Sequence, residues 1–88
     1  DAILCRDSLT HLPLDAALMA LRRFRQSGSQ FLLATTHQNR GPNRWIATGA
    51  WYAMDLCAPP FNLPTPRFVF HEGGSKMLGV WACAQLPE

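Results

Sequence analysis

Two short apolar runs with one amphipathic stripe between them constrain this chain more than any other feature. Ala2-Ile3-Leu4-Cys5 is a continuous apolar run that stops at Arg6-Asp7. That pattern predicts a strand buried on both faces of a parallel sheet. From Leu14 the apolar positions fall at Leu14, Leu18, Leu21 and Phe24, with Ala17 between them. This spacing lays one stripe along an amphipathic helix. Residues 30–37, QFLLATTH, then give a second apolar run. Strand, helix and strand with short joints make a βαβ unit, whose crossover is expected to be right-handed.

Local signals set the joints. Residues 7–13, DSLTHLP, predict a tight turn or one helical turn, and Pro13 suits the start of the following helix. Arg22, Arg23, Arg25 and Gln26 hold the other face and the last turn, where cations complement the helix dipole, and Gly28 follows as a C-terminal cap. Further on, residues 67–72 and 76–83 flank Gly73-Gly74-Ser75 and predict a β-hairpin. Between the βαβ unit and the hairpin lies a long irregular stretch, residues 38–66, rich in Pro and aromatic side chains. Loops of that length in small domains are functional or disordered, and the aromatic content favours function.

At 88 residues the chain makes one small domain at most. Apolar residues form 48% of it and charged residues 16%, which places it among globular rather than disordered chains. A net charge of +2 is too small to argue for nucleic acid or an anionic membrane. No apolar run is long enough to span a bilayer, and no signal-peptide pattern is present. Cys5, Cys57 and Cys83 are odd in number and lack C-x-x-C spacing, so reduced thiols in a cytoplasmic protein are expected. No metal-ligand spacing links them to His11, His37 or His71. The chain opens at Asp1 without Met and enters an apolar run at once, so a fragment of a longer protein is expected.

The order of these pieces carries a resemblance. DAILCRDSLTHLP, the amphipathic helix and SGSQFLLATTH resemble the second half of the class I S-adenosylmethionine-dependent methyltransferases. In that family a strand ending in this way is the fourth of the sheet. The helix and the LLATT strand follow, and a closing hairpin supplies the last two strands, one antiparallel to the rest. GAWYAMDLCAPPFNLPTP with FHEGGSKMLGVWA is similar to bacterial methyltransferase-domain proteins carrying a Pro-Pro-Phe-Asn-Leu-Pro segment before that hairpin. The resemblance spans essentially the whole chain. It implies an α/β, Rossmann-like fold in which residues 1–88 are the C-terminal half of one domain, strands four to seven. The Gly-rich turn and the acidic residue with which the family holds its cofactor have no counterpart here. The N-terminal, cofactor-binding half of the same domain is therefore the implied partner.

The resemblance further implies S-adenosylmethionine as cofactor and methyl transfer to a small molecule. Arg6, Asp7 and His11 follow the first strand and are expected beside the cofactor, with His11 as a catalytic base or substrate ligand. The plainer alternatives are a local Arg6–Asp7 ion pair and a His11 that packs against the helix start. Thr35, Thr36 and His37 end the second strand and face the same crevice. Trp45, Trp51, Tyr52 and Phe61 either wall a substrate pocket or cover a sheet face; Trp81 reads as core. The predicted substrate-binding residues are His37, Trp45, Pro60, Phe61 and Asn62. Arg22-Arg23-Phe24-Arg25 reads as a solvated helix face rather than a nucleic-acid site.

The run Ala58-Pro59-Pro60-Phe61 resembles the Asn/Asp-Pro-Pro-aromatic motif of enzymes that methylate base amino groups. It lacks the acceptor and follows the wrong strand for that role. It is expected instead to be a stiff lid presenting Phe61 and Asn62 over a small substrate. Two other classes remain: an inactive methyltransferase-like module that binds a partner, and a Rossmann-like piece of a nucleotide-dependent enzyme.

Overall fold

The computed structural model describes residues 1–38, 43 and 53–88. Strand β1 (Ala2–Cys5) leads through a short 3₁₀ turn (Leu9–His11) into helix α1 (Leu14–Gln26). Strand β2 (Phe31–His37) follows, and the hairpin β3 (Phe68–Gly73) and β4 (Lys76–Ala82) closes the sheet. A second 3₁₀ turn, Cys83–Gln85, leads to the C-terminal residues. The architecture is a small α/β protein with a mixed four-stranded sheet and one helix among the described residues.

The sheet order is β1-β2-β4-β3. β1 and β2 are parallel, Ala2 opposite Phe31 and Cys5 opposite Ala34. β4 runs antiparallel to both neighbours, with Leu32 opposite Trp81 and Val69 opposite Gly79. β4 alone is reversed, as the closing hairpin implied. The β3 register shifts between His71 and Gly73, and Gly73 and Gly74 adopt the positive φ that the tight connection requires.

Alternation divides the side chains between two faces. Ile3, Cys5, Leu32, Ala34, Thr36, Met77, Gly79 and Trp81 share one face, which is covered. α1 lays Ala17 and Leu21 on it, fully buried, with Leu14, Leu18 and Phe24 packed at the margin. Beside the helix, the segment 53–66 adds Met54, Leu56, Phe61 and Leu63 to the same core. Gly79 makes that fit possible. A Cβ there would stand 2.6 Å from Trp81 Cη2 and 3.2 Å from Pro66 Cγ, so only glycine lets the indole lie across β4. The indole N–H donates to Pro64 O at 2.7 Å and fastens the segment to the sheet.

The other face is bare among the described residues. Ala2, Leu4, Phe31, Leu33, Val80, Phe68 and Phe70 project from it, and Leu4, Phe68 and Phe70 are 66%, 67% and 57% exposed. The expectation that β1 is buried on both faces is therefore corrected: only Cys5 is buried. An unbroken apolar run specifies two apolar faces, whereas covering both takes two layers, and the described residues supply one.

The helix cap holds, with Gly28 at φ +85 just past the Ser27 cap. The arginine run does more than face solvent. Arg22 donates to Glu88 O at 2.9 Å, and Arg25 donates to Ala84 O and Leu86 O. These bonds tie the last residues to the helix. No described helix is long and apolar enough to cross a membrane.

Candidate functional site

The charged side chains that follow β1 pair across the sheet. Arg6 bonds Glu72 at the far end of β3, and Asp7 Oδ1 lies 2.7 Å from Lys76 Nζ at the start of β4. β2 and β4 stand between β1 and β3, so the Arg6–Glu72 pair must pass over the ends of the two middle strands. Beneath lie Thr35 and His37, 2% and 5% exposed although they sit on the otherwise bare face. The geometry thus replaces the local Arg6–Asp7 pair with two long-range ones.

Backbone geometry supports this arrangement. Asp7 takes φ 57, a left-handed conformation that Asp tolerates better than most residues. Its N–H donates to Thr35 Oγ1 at 2.8 Å. One residue on, Thr36 Oγ1 accepts the Leu56 N–H at 2.9 Å, and His37 N donates to Met54 O at 2.9 Å. The two threonines at the strand end are hydrogen-bond acceptors that hold the turn after β1 and the segment 53–66.

Electrostatics follow from these contacts. The Lys76 hydrogen bond holds the Asp7 carboxyl below its ordinary range. Burial lowers His37, and the nearby Lys76 charge lowers it further, so the imidazole favours its neutral form. Ser75 Oγ stands 3.5 Å from His37 Nδ1. Burial raises the Cys5, Cys57 and Cys83 thiols, with the Asp55 charge adding to the effect at Cys57. No thiol is activated as a nucleophile. Among the described residues no cluster of His, Cys, Asp and Glu is arranged to hold a metal ion.

The expected site residues thus separate. Arg6, Asp7 and His37 meet at one end of the sheet. His11 is exposed in the 3₁₀ turn after β1. Phe61, expected to stand out from a lid, is 4% exposed and packs in the core. The backbone explains it: Phe61 N and Asn62 N both bond Ala58 O, and the turn sends the ring inward. Pro60 and Asn62 stay at the surface, with Asn62 at φ 52 and Pro59-Pro60 joined by a cis peptide. Trp45, Trp51 and Tyr52 lie outside the described residues.

Sequence reasoning passed over Glu72 and Lys76, which complete the two ion pairs. Their one signal was an acid and a base flanking the hairpin turn at Gly73-Gly74-Ser75. Asn43 was also missed. Its side-chain amide donates to Asp55 O at 2.7 Å and Pro59 O at 2.9 Å, and its oxygen accepts from Asp55 N at 2.9 Å. Compared with known protein families, curated proteins and solved structures, the chain matches none.

Proposed function

We propose that this chain is the C-terminal half of a Rossmann-like, class I methyltransferase domain, strands four to seven, and that the complete domain transfers a methyl group from S-adenosylmethionine to a small molecule. The observation that carries the reading is the unfinished sheet. Parallel strands are ordinarily covered on both faces, yet here one face is apolar and bare and the outer edge of β1 has no strand partner among the described residues. A preceding half that adds strands beside β1 and helices over the bare face would complete it. Strand order β1-β2-β4-β3 with β4 alone reversed agrees with the closing hairpin of that family.

The described residues do not by themselves form a cofactor cradle. Gly28 follows the helix and Gly73-Gly74 turn the hairpin, so neither opens a helix after a strand. When bound, S-adenosylmethionine supplies an electrophilic methyl group. What this chain contributes is the carboxyl-end wall of Arg6, Asp7 and His37, and methyl transfer depends mainly on alignment at such a wall.

A second reading has its own observation. Arg6 and Asp7 are already neutralised by Glu72 and Lys76, as suits an inactive methyltransferase-like module that binds a partner through its bare face. Calorimetry with S-adenosylmethionine separates the two. A longer protein with a strand and Gly-rich turn about 60 residues upstream, two α/β units, is expected to bind it, and Asp7→Ala to weaken binding severalfold. No binding by that longer protein would sink the enzyme reading and leave the module. A Walker-type glycine loop upstream would point to a nucleotide-dependent enzyme instead.

A further inference from the structure

The bare face has relief. Leu33, Val80 and Phe68 are cross-strand partners in one row, and Phe31 stands opposite Ala82 in the next. Along β4 the projecting side chains shrink from Leu78 to Val80 to Ala82, between the ridges Phe31–Leu33 on β2 and Phe68–Phe70 on β3. The result is a trough of about 290 Å³ with no polar side chain among its described lining residues. Its ridges are two inter-strand spacings apart, about 10 Å, which is the width of one α-helix. The seven residues of β4 run about 23 Å, which a helix of about fifteen residues covers.

One charge marks the end of the trough. Arg67 is exposed, and its guanidinium carbon lies 5.9 Å from the centroid of the Phe31 ring. It has no anionic partner: all six Asp and Glu side chains of the chain are among the described residues, and none pairs with it. At the opposite end Arg6 and Lys76 are already matched by Glu72 and Asp7. A small-molecule site encloses most of its ligand, whereas this trough is open between exposed ridges. A second copy does not suit it either, since the chain's own α1 carries Arg22, Arg23 and Arg25 and would bring like charge to Arg67.

We propose that this trough seats one amphipathic α-helix of the preceding half of the protein, its apolar stripe along β4 and a carboxylate at the Arg67 end. This rests on the reading above that a preceding half covers the face; cofactor binding plays no part in it.

The anisotropy of a fluorescein-labelled peptide tests the seat. The peptide is an amphipathic helix of about fifteen residues with leucines along one face and glutamate near each end, so that either orientation brings a carboxylate to Arg67. Its twin carries lysine in place of glutamate. The 88-residue chain is expected to bind the glutamate peptide about fivefold more tightly than the twin, the worth of one exposed ion pair. Arg67→Glu should reverse the preference. Phe68→Ser removes part of one ridge at a position 67% exposed, so it should weaken both peptides without unfolding the chain. In the longer protein the seat is filled, and neither peptide should bind. No binding by the 88-residue chain, equal binding of the two peptides, a preference that survives Arg67→Glu, or undiminished binding by the longer protein would overturn the proposal. Binding indifferent to Phe68→Ser would do so independently. Calorimetry with S-adenosylmethionine reads the methyltransferase assignment separately, so either can fail alone.

Discussion

The two faces of one sheet come from the same strands, alternate residue by residue, and have opposite fates. On the covered face Leu32, Ala34 and Trp81 are fully buried beneath α1 and the segment 53–66. On the other, Leu4, Phe68 and Phe70 are more than half exposed. Composition does not separate them, since both are apolar at the middle of the sheet. What differs is the layer above. Apolar character in a strand therefore states a demand for cover, and meeting it is a property of the whole assembly.

The contrast is sharpest between two aromatic residues. Trp81→Ala removes a fully buried indole and its bond to Pro64, and is expected to cost about 3–5 kcal/mol. Urea unfolding should register it as a lower midpoint at unchanged slope. A midpoint shift no larger than that of a surface change would break the distinction between the faces.

A smaller effect sits where the bare face ends beneath the ion pairs. Burial and Lys76 lower His37, so the unfolded chain binds its proton more readily than the folded one. Stability from this group is full above the unfolded imidazole value of 6.5 and is lost as pH falls from there toward the lower folded value. The urea midpoint should therefore decline on acidification from pH 7.5 into the range below 6.5. His37→Gln should flatten that decline, and an equal slope in the variant would remove His37 as its source. Asp7 acts in a lower window. Its depressed carboxyl stabilises the fold above the ordinary carboxylate value and ceases to do so as pH falls through the folded one.

The smallest expected change in stability lies on the bare face itself. Phe70→Ser should alter the unfolding free energy by no more than about 0.5 kcal/mol, since the ring is 57% exposed. It should nevertheless reduce light scattering of the concentrated 88-residue chain, because a contiguous apolar face favours self-association. A loss of several kcal/mol would mean that the face is covered in solution.

Much of the framework was legible because it rests on local periodicity. The stripe Leu14, Leu18, Leu21 and Phe24 predicts α1, and Gly28 marks its end to within a residue. The hairpin follows from Gly73-Gly74-Ser75. What could not be read involves partners far apart in the chain. Arg6 meets Glu72 and Asp7 meets Lys76 only after β4 has been inserted between β2 and β3. Phe61 was misjudged for a related reason. Prolines report a stiff backbone and say nothing of which way it turns. The inward turn depends on the Ala58 carbonyl, which accepts from both Phe61 N and Asn62 N.

Asn43 fastens the segment 53–66 with the two-sided grip that one peptide unit gives another in a β-ladder, supplied by a single side chain. Unlike a peptide, that carboxamide can hydrolyse in place. Deamidation to Asp would turn the donor that faces Asp55 O and Pro59 O into a negatively charged acceptor aimed at two carbonyl oxygens. The clasp would then repel what it now holds, so the seating of this segment depends on a group with a finite chemical lifetime.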